Sequence, residues 1–441
     1  MNLNIGFVST RLAGIDGVSL EANKWAEVFE SSGHSCFWLA GELDRSPEKS
    51  VLVPEAHFKC QKNIWINEQV LGKVGRTASV TKSIHDLSSY LKIRLKQFIT
   101  RFRIDLLVIE NALAIPLHIP LGIALAELIS ETQIPSIAHH HDFYWERTPF
   151  LVNAVGEYIR MAFPPNLSNI EHVVINSLAC DELAYRRGIR ATTIPNVLDF
   201  ENYPLVDCKG AGSFRELFGL KSSNKAILQP TRIIKRKGIE HAIELIKALQ
   251  NPEYKLLLSH QSGDEGYDYA KWIWYYARAS GVDLLTSKVG IANPWNNCNL
   301  SNGFSLWNVY LNADFITFPS IQEGFGNAFL EAVYFKKPLL INRYPTFVKD
   351  IEPKGFDTVA IDGHLTKNTI QMVKELLETP NKKEEMVNNN YEIAKRNYSY
   401  SILRKQLNFL LTRLFENFDF PAFPEETADR QGVSNYIAQS N

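Results

Sequence analysis

Cysteine is scarce in this chain. Cys36, Cys60, Cys180, Cys208 and Cys298 are scattered through 441 residues, odd in number and without a Cys-x-x-Cys spacing. That argues against a disulfide framework or a cysteine-built structural zinc site, and it fits a reducing cytoplasmic setting. An excess of either charge is also missing. A net charge of -1 offers no general attraction to nucleic acid. Long unbroken apolar runs are lacking too. The most apolar stretch, residues 111–130, carries Pro116, His118, Pro120 and Glu127, and so reads as a buried helix with its approach loop rather than a membrane span. The first ten residues, "MNLNIGFVST", enter a strand without a basic leader or cleavage site. Several chemical signatures are absent as well. Without a Gly-x-Ser-x-Gly elbow or a Gly-x-x-x-x-Gly-Lys-Ser/Thr loop, serine hydrolysis and P-loop chemistry lose their simplest support. Without any Asp-x-Asp, so does a carboxylate-held divalent metal bridging a diphosphate.

What is present is alternation. "LNIGFVST", "SCFWLAG", "DLLVIEN", "PSIAHHH" and "HVVINS" read as strands in the first half, and "KAILQPT", "YKLLLSH", "DFITFPS" and "KPLLINR" in the second, with amphipathic helical stretches between them. Such alternation, occurring twice, predicts two doubly wound α/β domains with parallel sheets. Their facing C-terminal strand ends would form a cleft, where ligands bind such sheets. The polar stretch "DFENYPLVDCKGAGSF" is the expected join, giving domains 1–205 and 206–395.

"PSIQEGFGNAFLEAV" sets Glu323 and Glu331 on either side of a glycine turn, between a buried strand and a helix starting near Asn327. The exposed amides of such a turn suit an anion, and the acids suit hydroxyl groups. After "KAILQPT", Arg232, Lys235, Arg236 and Lys237 gather before the helix "IEHAIELIKALQ". Unpaired cations at a helix N-terminus are unfavourable by roughly 0.3–1 kcal/mol each, which a bound diphosphate would reverse. A solvated basic loop is the plain alternative. Gly14 and Gly17 precede the first helix, but Leu12 stands where a Gly-x-Gly-x-x-Gly fingerprint needs glycine, so a nicotinamide reading stays minor. In "AHHHDFYWER", strand alternation points His139 and His141 one way and His140 the other, which argues against three histidines acting as one metal set. His141 with Asp142 stands nearest the expected chemistry. Asp16 either caps the first helix or meets an acceptor hydroxyl.

Together, "EGFGNAFLE", "RIIKRKG", the N-terminal glycine turn, "HHHD", "INS" and "IPNVLDF" resemble family 4 glycosyltransferases, from about Asn4 to Leu411. These are retaining enzymes of the GT-B fold, two facing Rossmann-like domains. The resemblance implies that Glu331 holds the donor ribose, while Glu323 and the amides of Gly324, Phe325, Gly326 and Asn327 meet the donor sugar and phosphate. It implies that Arg232 and Lys237 bind the diphosphate, that Gly14 and Gly17 let their loop approach the ligand, and that His141 lies near the transferred sugar. It further implies a C-terminal helix, 396–420, crossing back to the first domain ahead of a tail at 421–441. No metal or cofactor is called for beyond the donor, GDP-mannose or UDP-glucose. Lys336-Lys337 before Pro338, and Gly-Ile-Asp-Gly in place of a glycine doublet, depart from the common family pattern.

More narrowly, "STRLAGIDGVSLEANKWAEVFESSGH" and "HHHDFYWER" resemble a subgroup linked to mannosylglucosylglycerate-type compatible solutes. That implies a small glycerate-containing acceptor, with Arg11, Arg147 and Arg160 available for its carboxylate. Two alternatives stand beside this reading. A lipid- or polysaccharide-directed transferase touching the membrane would use the stripe Leu91, Leu95, Phe98 and Phe102 beside a basic face. A noncatalytic sugar-nucleotide-binding protein is the other.

Overall fold

The computed structural model describes residues 2–14, 16–203, 211–259, 267–286, 291–292 and 304–416. The expected join at 205–206, the tail at 421–441, Cys208 and Cys298 lie outside the described residues. The first sheet has seven strands, β1 (Asn4–Val8), β2 (Ser35–Ala40), β3 (Ser50–Leu52), β4 (Leu106–Glu110), β5 (Ser136–His140), β6 (Ile170–Val174) and β7 (Ala191–Thr193). They lie in the order β3-β2-β1-β4-β5-β6-β7, all parallel. The second half contains β8 (Lys225–Gln229), β9 (Tyr254–Leu258), β10 (Leu284–Thr286), β11 (Ile291–Ala292), β12 (Phe304–Ser305), β13 (Phe315–Phe318), β14 (Leu339–Asn342) and β15 (Val359–Ile361). Six of these form a second parallel sheet, β10-β9-β8-β13-β14-β15, while β11 and β12 pair apart. The expected pair of doubly wound domains is therefore present.

Each sheet reverses its winding next to its first strand, between β1 and β4 and between β8 and β13. The flanking crossovers run to opposite faces and leave a crevice at the strand ends, where ligands bind such sheets. The strands read as apolar runs because helices cover both faces of a parallel sheet. All five residues of β4, including Glu110, are buried.

The helix Ala78–Phe102 shows how patterning sets packing. Val80, Ile84, Leu87, Leu91, Leu95 and Phe98 recur at helical spacing, and all are buried. Burying side chains of this size stabilises by roughly 1.5–3 kcal/mol each. The Phe98 ring lies so close to Gly6 that a Cβ there would meet it at 2.8 Å. This corrects one expectation: Leu91, Leu95 and Phe98 are 0–1% exposed in the core, and Phe102 stacks on Phe37, so the stripe offers nothing to a membrane. No helix among the described residues is long and apolar enough to cross a bilayer. Residues 111–130 form a short turn and the buried helix Ile119–Thr132.

The chain crosses between the domains twice, and the crossings pair where Leu198 donates its N–H to the Tyr398 carbonyl (3.0 Å). Beyond the second crossing, the helix Tyr400–Glu416 returns to the helix Gly17–Ser31. Leu403, Leu407, Leu410 and Leu414 join Trp25, Val28 and Phe29 in one buried cluster.

Candidate active site

On the second-domain side, the loops after β8 and β13 are locked together. Ile321 donates its N–H to the Arg236 carbonyl (2.8 Å). Gly238 sits at φ +60° with Pro319 O so close that any Cβ would collide with it. Only glycine meets both demands. The approach pairs Lys237 Nζ with Glu323, and brings Arg236 Nη1 to Glu323 Oε2 at 3.3 Å. Burial pushes the Lys237 ammonium below its ordinary range, and the Glu323 charge partly restores it. Arg232, half-buried, adds a like charge nearby. Arg236 thus holds the acid alongside Lys237, a partner the resemblance did not name.

Beyond Glu323 the chain turns through Gly324, Phe325 and Gly326 into the helix Asn327–Tyr334. Gly326 has φ +109°, and a Cβ there would strike the Tyr344 hydroxyl, which is itself donated to the Phe325 carbonyl at 2.7 Å. One turn along the helix, Glu331 accepts a hydrogen bond from the Tyr310 hydroxyl (2.6 Å). Burial raises the Glu331 carboxyl, while Tyr310 and the Lys24 charge oppose the rise.

The first domain supplies a second group of charges. Register places Glu110 of β4 beside His139 of β5. The Glu110 carboxylate, 0% exposed, lies 3.0 Å from His139 Nδ1 and 3.2 Å from His141 Nε2. Burial alone would raise this carboxyl, but the two imidazoles outweigh it and hold it down at about 2. Burial lowers His141, yet the Glu110 hydrogen bond and charge prevail and leave it raised. In His139, stacked on Trp25 at 4.3 Å, burial prevails and the pKa falls. As alternation requires, His140 points the other way, to His172 (2.9 Å). The three histidines do not form one set, as alternation requires, but Glu110, which the sequence reading did not consider, joins His139 and His141 in a compact donor group. The donor atoms of Glu110, His139 and His141 lie within 4.8 Å of one another. Two histidines and a carboxylate are ligands a divalent transition ion accepts. The same atoms also satisfy one another by hydrogen bonds.

Several contacts among the described residues join the two sides, the Lys349–Asp181 ion pair among them. Asn176 Nδ2 donates to the Gly324 carbonyl and Asn196 Nδ2 to Asn327 Oδ1, each at 2.7 Å. Ser177 holds Asp350 through its N–H at 2.7 Å and through its hydroxyl. A Cβ on Gly324 would meet Ile175 Cδ1 at 3.1 Å and the His141 carbonyl at 3.4 Å. The glycine turn therefore rests against the first domain beside His141. The helix Gly17–Ser31 adds the buried pair Glu21–Lys24, whose charges are felt by Glu331 and, for Glu21, by His141. Desolvating such a pair costs several kcal/mol per ion, which pure packing does not require.

Of the residues singled out from sequence, Lys237, Glu323, Gly324 and His141 meet at this junction, with Glu331 one helical turn on. Asn327 spends its side chain on Asn196, and Phe325 is buried in the core. Gly14 donates its N–H to Asp44 (2.9 Å), and Gly17 opens the first helix. A Cβ on either would meet nothing within 4 Å, so their loop borders open space. Asp16 caps that helix by accepting from Val18 N and Ser19 N and also pairs with Arg11. Arg147 pairs with Asp142 beside His141, while Arg160 is exposed. Glu110, Tyr310 and the Glu21–Lys24 pair escaped the sequence reading, and Asn176 and Asn196, within "INS" and "IPNVLDF", were given no individual function there. An acid at the C-terminal end of the buried run "DLLVIE" was the one available signal for Glu110.

Comparisons with known proteins bear on the family and the fold. The family model described as "Glycosyl transferases group 1" matches residues 213–393. A mannosylglucosylglycerate synthase of Thermotoga maritima is 30% identical over 445 residues, covering 92% of this chain and 99% of that protein. A second protein of that name, from Petrotoga mobilis, is 32% identical over 81% of this chain and 86% of its own. In fold, the chain is similar to a glycosyltransferase of Rickettsia africae, with TM-score 0.67 at 13% identity over 95% of this chain and 100% of that one. It is also similar to Anabaena Alr3699/HepE, solved with UDP and glucose, with TM-score 0.64 at 13% identity over 93% and 100%. With a relative of 30% identity matched almost end to end, the chain belongs to the group 1 glycosyltransferases and has their GT-B fold.

Proposed function

We propose that this glycosyltransferase moves a hexose, mannose or glucose, from a nucleoside diphosphate sugar to a small glycerate-containing hydroxyl acceptor, with retained configuration. The observation that carries the reading is the locked pair of loops, which sets Lys237, Arg236 and Glu323 beside the Gly324 turn and His141. The names of the two synthase relatives support the acceptor class.

In this reading the Lys237–Glu323 pair is exchanged when donor binds. Lys237 turns to the diphosphate together with Arg232, and Glu323 accepts from a hydroxyl of the donor sugar. The amides of Gly324 through Asn327 face the same anion at a helix N-terminus. Glu331, held by Tyr310, accepts from the ribose. As the glycosidic bond to the diphosphate breaks, the cations and amides take up the departing charge, already fixed in place before the reaction. The acceptor hydroxyl attacks from the same face and passes its proton to a phosphate oxygen, so neither glutamate forms a covalent bond. His141, its pKa raised by Glu110, faces the transferred sugar. Arg11, Arg147 and the Glu21–Lys24 pair stand on the acceptor side.

Calorimetric titration with GDP-mannose and UDP-glucose, followed by transfer to glucosylglycerate and NMR of the product anomer, tests the proposal. Donor binding without transfer or hydrolysis across an acceptor panel supports a noncatalytic binding protein instead. An inverted product rejects the same-face attack. Arg232→Ala is expected to lower kcat by roughly 100-fold, the scale of one lost stabiliser of developing charge. Unchanged turnover removes Arg232 from this role.

A further inference from the structure

A cavity of about 330 Å³ lies where the chain crosses between the domains. Its walls come from both crossings, Thr193 and Pro195 on the way out and Tyr398 and Ile402 on the return. Ile175 and Phe325 add apolar surface, whereas Lys354 and Arg396 are exposed and carry charge. Neither cation makes a salt bridge among the described residues, and Lys354 Nζ lies 5.8 Å from the centre of the Tyr398 ring. The single acid of the lining, Asp350, is already engaged by Ser177 N and Oγ. Gln406, also in the lining, has a side-chain oxygen shielded from solvent and without a hydrogen-bond partner. A buried polar atom left unpaired is unfavourable, and a ligand donor would relieve it.

We propose that this cavity is an effector site for a small hydroxylated anion, such as a sugar phosphate, distinct from the donor site. Lys354 and Arg396 receive the anionic end, an occupant hydroxyl donates to Gln406 Oε1, and the carbon skeleton rests on Phe325 and Tyr398. The size is right, since 330 Å³ falls at the lower end of small-molecule sites. The route to the chemistry is short. Phe325 packs edge-on against Tyr398 with ring centres 5.3 Å apart, and its carbonyl accepts from Tyr344. Its neighbour Gly324 is held by Asn176 of the first domain and rests beside the His141 carbonyl. An occupant bridging both crossings would favour this closed arrangement of the turn. By linkage, it would tighten nucleotide binding by the factor through which nucleotide tightens the effector.

The test is calorimetry with the full chain, using glucose 6-phosphate, glucose and inorganic phosphate as probes, each with and without UDP and GDP. Glucose 6-phosphate is expected to bind more tightly than either glucose or phosphate, and to tighten nucleotide binding by about fivefold, the lower scale of allosteric coupling. The double variant Lys354→Ala, Arg396→Ala, whose altered side chains are exposed, should weaken glucose 6-phosphate by at least about tenfold and leave nucleotide affinity in its absence unchanged. Absence of saturable sugar-phosphate binding, or equal binding by the variant, overturns the site. Binding that leaves nucleotide affinity untouched overturns the effector role. None of these readouts depends on the acceptor proposed above, so the two proposals fail separately.

Discussion

Replacing Glu110 with glutamine removes one charge from the centre of the first-domain cluster while keeping shape and hydrogen-bonding capacity. The carboxylate is fully buried and within 3.0–3.2 Å of His139 Nδ1 and His141 Nε2. A hydrogen bond to a charged group contributes roughly 1.5–3 kcal/mol. If His141 acts as imidazolium in the transition state, losing that contribution slows kcat by about 10- to 150-fold, with a smaller change in KM. The direction of the pH effect follows from opposing causes. Burial pushes His141 down and Glu110 pushes it up, with Glu110 prevailing. In Glu110→Gln burial is opposed only by the charges of Glu21 and Asp142, which rank below Glu110, so the basic limb of the kcat profile moves to lower pH. Full pH–rate profiles of wild type and variant, with thermal unfolding as a folding control, decide the matter. An unmoved basic limb in a folded variant refutes the proposed function of Glu110, even if kcat falls, because a merely structural loss would not shift that limb selectively.

Gly326→Ala should lower stability by about 1–3 kcal/mol and weaken donor binding, since φ +109° and the Tyr344 hydroxyl both oppose a Cβ; unfolding in urea and donor calorimetry measure the two effects. Leu95→Ala should cost about 2–5 kcal/mol of stability by leaving a cavity, yet change no binding to anionic liposomes, because Leu95 lies in the core. Burial holds His118 and His172 down at about 4, against an ordinary 6.5. The unfolded chain therefore binds more protons than the folded one in this window, and the stability from these two groups is complete above pH 6.5. It falls as pH drops towards 4, by up to about 3 kcal/mol each. Urea midpoints between pH 7 and 4.5 check this, and a flat profile rejects it.

The two-domain α/β plan was legible because a parallel sheet covered on both sides needs apolar strands separated by amphipathic helices, and runs such as "DLLVIEN" and "DFITFPS" announce it. The short edge strands Leu284–Thr286 and Val359–Ile361 were not, since three residues carry too little pattern. In the site, Glu323, Glu331 and Lys237 stood out because an acid–glycine turn and a basic loop each conflict with local expectation. Arg236 stood among the same cations, but only the folded loops showed it reaching Glu323. The stripe of the helix Ala78–Phe102 was visible in the sequence, but amphipathicity says that one face is covered without saying by what.

The residues themselves determined the alternation of strand and helix, the glycine turn between two acids, and the separation of His140 from His139 and His141, because each follows from backbone geometry over a few positions. Only the tertiary structure decided that Glu110 lies beside His139, that Asn196 reaches Asn327, and that the Lys24 charge acts on Glu331. Those meetings depend on strand order and on the closure of one domain against the other. Contacts between residues 29 and 131 positions apart leave no periodic trace along the chain.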